Sequence, residues 1–207
     1  IMEILTAYLR QNAPASSAVP NPLPDWKPLP DAATPEQRAE HAKARNKRFG
    51  NVLSDETARA WARKLKPDTI IQTAVRVIAR RNKAQKKAER ADTRYGPQGY
   101  RLDLRATDLQ AVDVSGLDLS RALLDDARLE GATLVGARVE DASLIAARMD
   151  GADLTSACFN GANLHGAGME GATLRKAQLV AANLFFARLE VAELKEAHMA
   201  GAELVHA

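Results

Sequence analysis

Residues that could bind a metal ion or act as a nucleophile are few in this chain of 207 residues. They are four histidines and one cysteine, at His41, Cys158, His165, His198 and His206. Metal sites built from these residue types place two ligands within a few positions of each other, a spacing that these residues lack. No sequence motif pairs Cys158 with a residue that could act as its catalytic base. We therefore predict no metal site, no cofactor and no catalytic residue, and we do not expect an enzyme.

Charged residues are the second possible source of function, and they are distributed unevenly. Residues 1–100 contain 19 basic and 10 acidic residues, whereas residues 101–207 contain 10 basic and 16 acidic ones. The most basic stretch is 80–90, and its candidate anion-binding residues are Arg80, Arg81, Lys83, Lys86, Lys87 and Arg90. They could bind anionic lipid or nucleic acid through their charge. We favour the alternative, a solvated helix extension.

Prolines separate two predicted helices near the start of the chain. Apolar residues at helical spacing predict a short amphipathic helix over residues 1–10. A dense run of prolines follows, so residues 11–33 are expected to form an extended linker or a surface insertion. Thr34 and Gln37 have the types and spacing of a capping box, which predicts a helix with hardly any apolar face.

Two helices with a clearer apolar pattern are predicted near residues 55–65 and near residues 69–81. Asp68 has the residue type and position of an N-cap for the second helix. The residues of that helix expected to face inward are Ile70, Ile71, Ala74, Val75, Val77 and Ile78.

The second half of the chain follows a period of five. An apolar residue occupies the central position of 21 consecutive repeats from Leu104 to Leu204, and Ala lies two positions before it in every repeat from Ala122 to Ala202. On an α-helix a step of five residues rotates the side chain by about 140°, and on a flat strand it reverses the face. If five residues instead form one side of a polygonal coil, every central residue points to a common axis.

The pattern therefore predicts a mainly β solenoid over residues 101–207, preceded by a small α-helical region over residues 1–100. Four repeats per coil would give about five coils, and the recurring glycines two positions after the central residue suit tight corners. The predicted structural core is Leu104, Leu109, Leu119, Leu129, Leu144, Leu154, Phe159, Leu164, Leu174, Leu184, Leu194 and Leu204.

The repeats read ADLTS, ANLHG, ANLFF, ATLVG and AELKE, a signature that resembles the pentapeptide-repeat family. The resemblance implies a right-handed quadrilateral β-helix with one repeat on each side of the coil. The helices and the RLDLRATDL stretch at 101–109 are also similar to the N-terminal region of bacterial members, in which transmembrane helices often lie upstream.

Asp103, Asp108, Asp113 and Asp118 form a regular carboxylate series with a spacing of five. In a four-sided coil these residues fall on four different sides, so they cannot form an acid and base pair. We expect each carboxylate to accept hydrogen bonds at a corner.

Residues 20 apart would stack in one column on the outside of the coil. One such column carries acids beside a column of arginines: Gln110, Glu130, Asp150, Glu170 and Glu190 beside Asp108, Arg128, Arg148, Gly168 and Arg188. These columns could form an acidic recognition surface. We favour a self-neutralised, solvated face.

Another outward column becomes apolar toward the C-terminus. It contains Ile145, Phe185 and Val205, and Phe186 lies beside it. These four residues are the candidate partner surface, because exposed apolar clusters often mark contacts. A protein partner or a second copy of the chain would cover them, and a missing C-terminal segment is an equal alternative.

The predicted function is a noncatalytic scaffold for protein–protein interaction. One alternative is DNA mimicry, because some pentapeptide-repeat proteins resemble duplex DNA and bind topoisomerases, but Arg128 and Arg148 interrupt the negative surface. Another is association with a membrane or nucleic acid through residues 80–90. The single cysteine and the lack of a membrane-spanning apolar run predict a cytoplasmic protein. Upstream transmembrane helices in a longer native chain would tether it to a membrane.

Overall fold

The computed structural model describes residues 2–20, 34, 36–37, 40 and 61–205. Three α-helices have both ends within these residues: α1 at Met2–Asn12, α2 at Thr69–Ala79 and α3 at Lys83–Ala91. Short 3₁₀ turns follow α1 at Ala15–Ser17 and α3 at Thr93–Tyr95. Within the described part of the chain, none of the helices is long and apolar enough to cross a lipid bilayer.

Helix starts follow the capping pattern of the sequence. Asp68 caps α2, and its Oδ1 accepts hydrogen bonds from Ile70 N at 2.8 Å and Ile71 N at 3.1 Å. Thr34 and Gln37 form the predicted capping box, in which Thr34 N donates to Gln37 Oε1 at 2.8 Å and Gln37 N donates to Thr34 Oγ1 at 3.2 Å. Most of the helices predicted after Thr34 and near 55–65, and residues 21–33 of the predicted linker, lie outside the described residues.

The second half of the chain is a β-helix solenoid with a repeat of 20 residues. Parallel β-bridges join residues 20 apart in four columns, which begin at Asp103, Asp108, Asp113 and Asp118. We number the four sides by their first central residues: side 1 has Leu104, side 2 Leu109, side 3 Val114 and side 4 Leu119. Along side 1 the bridges run from Asp103 to Glu203 in five steps of 20 residues.

The central residues fill the interior of the solenoid. Of the predicted core, the residues at most 2% exposed are Leu104, Leu109, Leu119, Leu129, Leu144, Leu154, Phe159, Leu164, Leu174 and Leu184. The Ala column from Ala122 to Ala187 is equally buried. Leu194 is half-buried and Leu204 is 44% exposed, which departs from the prediction. Both lie in the last described coil, so no described coil covers them.

Every corner of the solenoid uses left-handed backbone. At the second position after the central residue, φ lies between 50° and 67° in all 20 repeats from Ala106 to Gly201. Eight of these positions are glycine and twelve are not, and the latter include Phe186 and Val191. The corner therefore imposes this conformation even where a side chain makes it unfavourable.

Helices α1 and α2 pack on the N-terminal end of the solenoid. Leu9 of α1 and Ile78 of α2 are buried in the same hydrophobic cluster as Leu104. Ile70 and Val77 were expected to face inward, but they are 61% and 52% exposed. The buried residues of α2 are Ile71, Ala74, Val75, Ile78 and Ala79. Ile70 and Val77 lie about 110–130° around the helix from the centre of this stripe, which explains their exposure.

The helical region also pairs with the backbone of the first coil, which would otherwise be an open edge. Pro14, in the predicted linker, forms an antiparallel bridge with Thr107, and Ala15 N donates to Ala106 O at 2.7 Å. On side 3 the side-chain amide of Gln72 pairs with the backbone of Asp113. The N-terminal region is thus a cap that continues the hydrogen bonding of the solenoid.

Candidate functional site

The candidate partner surface occupies one column on side 1. Ile145, Phe185 and Val205 each follow a central residue of this side, and His165 lies between Ile145 and Phe185. Ile145 is 39% exposed and Val205 is 47% exposed, whereas Phe185 and Phe186 are half-buried. The structure therefore places these side chains in one strip along the solenoid.

Three rings form a cluster within this strip. The centroids of Phe185 and Phe186 lie 4.8 Å apart with the rings at 79°. His165 stacks on Phe185 at 6.0 Å and meets the edge of Phe186 at 5.6 Å. Because aromatic pairs of this geometry contribute about 0.5–1.5 kcal/mol beyond their buried area, the cluster fixes the shape of the strip.

The acidic column on side 2 is buried, except for the half-buried Glu190 at its C-terminal end. Glu130 and Asp150 are 0% exposed, Glu170 is 2% exposed and Gln110 is 6% exposed. This overturns the expectation of a solvated face. It also leaves no accessible acidic recognition surface at these positions.

Arginines neutralise the buried carboxylates, as the sequence suggested. Glu130 Oε1 lies 2.6 Å from Arg128 Nε and 3.4 Å from Arg148 Nε, and Arg188 Nε lies 3.5 Å from Glu170 Oε1. Burial raises the pKa of Glu130, although the charge of Arg128 acts in the opposite direction. A buried carboxylate needs such pairing because desolvation of an unpaired charge is costly.

Arg188 has space to reach Glu170 because residue 168 is a glycine. A Cβ at Gly168 would lie 2.6 Å from Arg188 Nη2 and 3.0 Å from Asp150 Oδ1. Because Gly168 has no side chain, Arg188 can lie over it and approach Glu170 of the preceding coil.

Residues of the N-terminal region cover part of side 2. Val19 N donates to Gln110 Oε1 at 2.7 Å, and Gln110 Nε2 donates to Val19 O at 2.8 Å. Further along the solenoid, Ala62 O lies 2.8 Å from the position that a Cβ of Gly131 would occupy. The missing side chain at Gly131 therefore allows close backbone contact.

The basic segment 80–90 is partly engaged in internal ion pairs. Arg81 is buried and its Nη1 lies 2.5 Å from Glu89 Oε2, while Lys86 pairs with Asp118 of side 4. The other four candidate anion-binding residues are exposed: Arg80, Lys83, Lys87 and Arg90. The segment therefore combines an attachment to the solenoid with a solvated cationic surface.

The four corner aspartates act as the sequence predicted. The Oδ1 atom of each accepts a hydrogen bond from the backbone N two residues later, at 2.9–3.3 Å, as Asp118 does from Ser120. The Oδ2 atoms face the N-terminal region, where their partners are Arg10 for Asp103, Ser17 for Asp108, Arg76 for Asp113 and Lys86 for Asp118. One carboxylate per side thus joins the corner to the cap.

Cysteine and histidine lie apart, and the described residues contain no cluster of His, Cys, Asp and Glu that could hold a metal ion. Cys158 Sγ lies 3.5 Å from Glu140 Oε1, and burial raises the pKa of its thiol. A raised pKa lowers the thiolate fraction and so disfavours a nucleophilic role.

Sequence reasoning missed the partners that join the two regions. Asp118 and Lys86 are 32 positions apart, and Asp103 and Arg10 are 93 positions apart. No local pattern connects such residues. The regular aspartate series predicted the hydrogen bonds at the corners. It did not predict that the same carboxylates also contact the N-terminal region.

Comparison with protein families identifies the repeats. Residues 103–141, 122–161 and 140–175 match the family described as pentapeptide repeats, with eight copies. The repeat region therefore belongs to the pentapeptide-repeat family, which confirms the resemblance seen in the sequence. The similarity of residues 1–100 to the helical region of bacterial members stays a prediction.

Several solved pentapeptide-repeat proteins resemble the chain. One from the thylakoid lumen of Arabidopsis thaliana is 28% identical over 47% of this chain and 61% of its own, with a TM-score of 0.36. Rfr23 from the cyanobacterium Cyanothece 51142 is 34% identical over 42% of this chain and 59% of its own, with a TM-score of 0.26.

HetL, a pentapeptide-repeat protein involved in heterocyst differentiation regulation in Nostoc sp. strain PCC 7120, is 28% identical over 52% of this chain and 61% of its own, with a TM-score of 0.23. The chain thus spans about three fifths of the length of these solved relatives. No curated protein matches it.

Proposed function

We propose that the chain is a noncatalytic scaffold that mediates protein–protein interaction, built on a right-handed quadrilateral β-helix of about five coils. The observation that carries the proposal is the side 1 strip, where exposed Ile145 and Val205 flank a packed aromatic cluster. Exposed apolar side chains grouped in one strip favour contact with another protein. Val180, on the neighbouring side 4, is 39% exposed and widens the surface.

The solenoid supports this role by holding the strip rigid. Each coil pairs with the next through backbone hydrogen bonds of 2.6–2.8 Å from the N of each central residue to the following coil, such as Leu144 N to Asn163 O at 2.8 Å. Solenoids of this kind present extended binding surfaces. A protein partner or a second copy that docks on the C-terminal repeats would therefore meet side chains in fixed positions.

DNA mimicry receives less support. Mimicry requires an accessible negative surface, and Glu130, Asp150 and Glu170 are withdrawn from solvent beside arginines. We do not propose binding to a topoisomerase.

The basic segment supports a second candidate function, association with an anionic membrane. Its carrying observation is the exposure of Lys83, Lys87 and Arg90 on α3, together with Arg80. Cationic residues near an anionic bilayer contribute about 1 kcal/mol each. Under the proposal the protein works in the cytoplasm, and these residues bring it to the inner membrane surface.

The scaffold proposal is tested with paired variants. We would compare Ile145→Glu/Val205→Glu with the wild type by light scattering after size exclusion, and by capture from a native extract. Val135→Glu on side 3 is the matched control, because Val135 has the same position in its repeat. We expect self-association or a captured protein to be lost only in the side 1 variant. Identical behaviour of all three proteins would refute the role of this strip.

A further inference from the structure

A cleft of about 450 Å³ lies between α1, residues 95–101 and the start of side 1. Its walls include Arg10, Tyr95, Tyr100, Arg101 and Arg105. We propose that this cleft binds a small phosphorylated ligand with a flat ring, of the nucleotide class. Its volume is within the range of about 300–1,000 Å³ that small-molecule sites occupy.

Positive charge exceeds negative charge in the cleft. Arg10 and Arg105 share a single carboxylate, Asp103, which Arg105 holds with Nε at 2.9 Å and Nη2 at 2.8 Å. No described carboxylate is within ion-pair distance of Arg101, and the remaining acid in the wall is the exposed Glu3. An anion is therefore the ligand that balances this charge.

Arg101 is held in position by the backbone of the next coil. Its Nε donates to Arg121 O at 2.6 Å, and its Nη2 lies 3.5 Å from Ala122 O. Burial, and then the nearby charge of Arg121, lower the pKa of Arg101, while the charges of Asp125 and Asp141 act in the opposite direction. Among the described residues, the terminal nitrogens of Arg101 make only one long contact with the protein. A guanidinium held in this way can donate two parallel hydrogen bonds to phosphate oxygens.

Two tyrosines give the cleft its preference for a ring. Tyr100 is anchored, because its N donates to Glu89 O at 2.7 Å and its hydroxyl lies 3.3 Å from Thr6 Oγ1. Tyr95 packs edge to face on Tyr100, with centroids 5.1 Å apart, and is itself 41% exposed. Arg94 Cζ lies over the Tyr95 ring at 5.6 Å from its centroid, so a base would stack on the opposite face or replace this guanidinium. An exposed ring held by a second ring is suited to stacking on a base.

Calorimetric titration of the full chain with ADP, inorganic phosphate and adenosine tests the proposal. We expect ADP to bind tightest, phosphate less tightly and adenosine least. Arg101→Gln should weaken ADP binding by about tenfold or more, because a charge-assisted pair is lost. Tyr95→Ala should weaken the binding of ADP without changing that of phosphate. Lys195→Gln is the control, since it removes one positive charge from an exposed residue near the C-terminal end of the solenoid.

Three results would overturn the proposal. They are the absence of saturable ADP binding, an equal loss of affinity in Lys195→Gln and Arg101→Gln, and tighter binding of a short single-stranded RNA that ADP does not displace. Circular dichroism checks that each variant folds. If Arg101→Gln fails to fold, Tyr95→Ala still decides the outcome, because Tyr95 is 41% exposed and is not part of the hydrophobic core.

Discussion

The side-chain amide of Gln72 pairs with the backbone of Asp113 as a further coil of the solenoid would. Gln72 Nε2 donates to Asp113 O at 2.8 Å, and Asp113 N donates to Gln72 Oε1 at 2.8 Å. One side chain of α2 thus satisfies both backbone groups of an edge residue. This matters because unpaired edge groups invite association with other chains.

Replacing this amide should therefore cost more than replacing a neighbouring ion pair. Gln72→Met leaves both Asp113 groups without their partner, and we expect a loss of about 1–3 kcal/mol in the free energy of unfolding. Arg76→Met is the matched control on the same helix, because Arg76 pairs with Asp113 at the surface and should contribute at most about 1 kcal/mol. Urea unfolding measures both. Equal losses would contradict the edge-pairing role.

The contact of Lys86 with Asp118 should make stability depend on acid pH. Burial alone would raise the pKa of Asp118, but hydrogen bonds from Lys86 and Ser120 outweigh it and lower the pKa to about 2. The unfolded chain therefore binds more protons than the folded one between about pH 4 and pH 2, so stability falls as the pH falls through this window.

Lys86→Met should flatten this decline, while Lys87→Met, which changes an exposed neighbour, should not. The measurement is the urea midpoint of the three proteins at several pH values between 5 and 2, a range around the pKa values of carboxyl groups. Parallel curves for all three would show that the Lys86 pair does not stabilise the folded state.

The contact of Ala62 with side 2 can be tested with two glycines. Gly131 and Gly136 have almost the same φ, 67° and 62°, so an alanine at either position meets similar backbone strain. A Cβ at Gly131 would lie 2.8 Å from Ala62 O, whereas a Cβ at Gly136 has nothing within 4 Å. Gly131→Ala should therefore lower the melting temperature more than Gly136→Ala, and it should increase proteolysis near residue 62. Equal effects would exclude the contact.

The sequence predicted the interior of the solenoid better than its outer faces. A period of five determines which side chains point to the axis, and the buried series from Leu104 to Leu184 follows it. The burial of an outward-facing residue depends on residues that are distant in the sequence. The burial of Glu130 could therefore not be predicted from the repeat pattern. Gly131 and Gly168 mark places where another group approaches the solenoid closely. From the sequence, however, Gly131 was interpreted only as a corner residue and Gly168 only as a member of the arginine column.

The corner conformation leads to the last prediction. Val191 has φ of 54°, although the left-handed conformation costs about 1–2 kcal/mol for residues other than glycine. Glycine avoids this strain but loses about 0.5–1 kcal/mol through its greater freedom in the unfolded chain. Val191→Gly should therefore stabilise the protein by up to about 1 kcal/mol, which raises the melting temperature by about 2–4 °C in a chain of this size.

Val180→Gly is the matched control, because Val180 precedes its corner and is not among the positions of positive φ. Both valines are about equally exposed, at 42% for Val191 and 39% for Val180, so loss of buried apolar area is similar in the two variants. We expect Val180→Gly to lower the melting temperature and Val191→Gly to raise it, in the same thermal unfolding experiment. If both variants are destabilised to the same extent, strain at the Val191 corner is not relieved by glycine, and local packing of the side chain outweighs backbone conformation there.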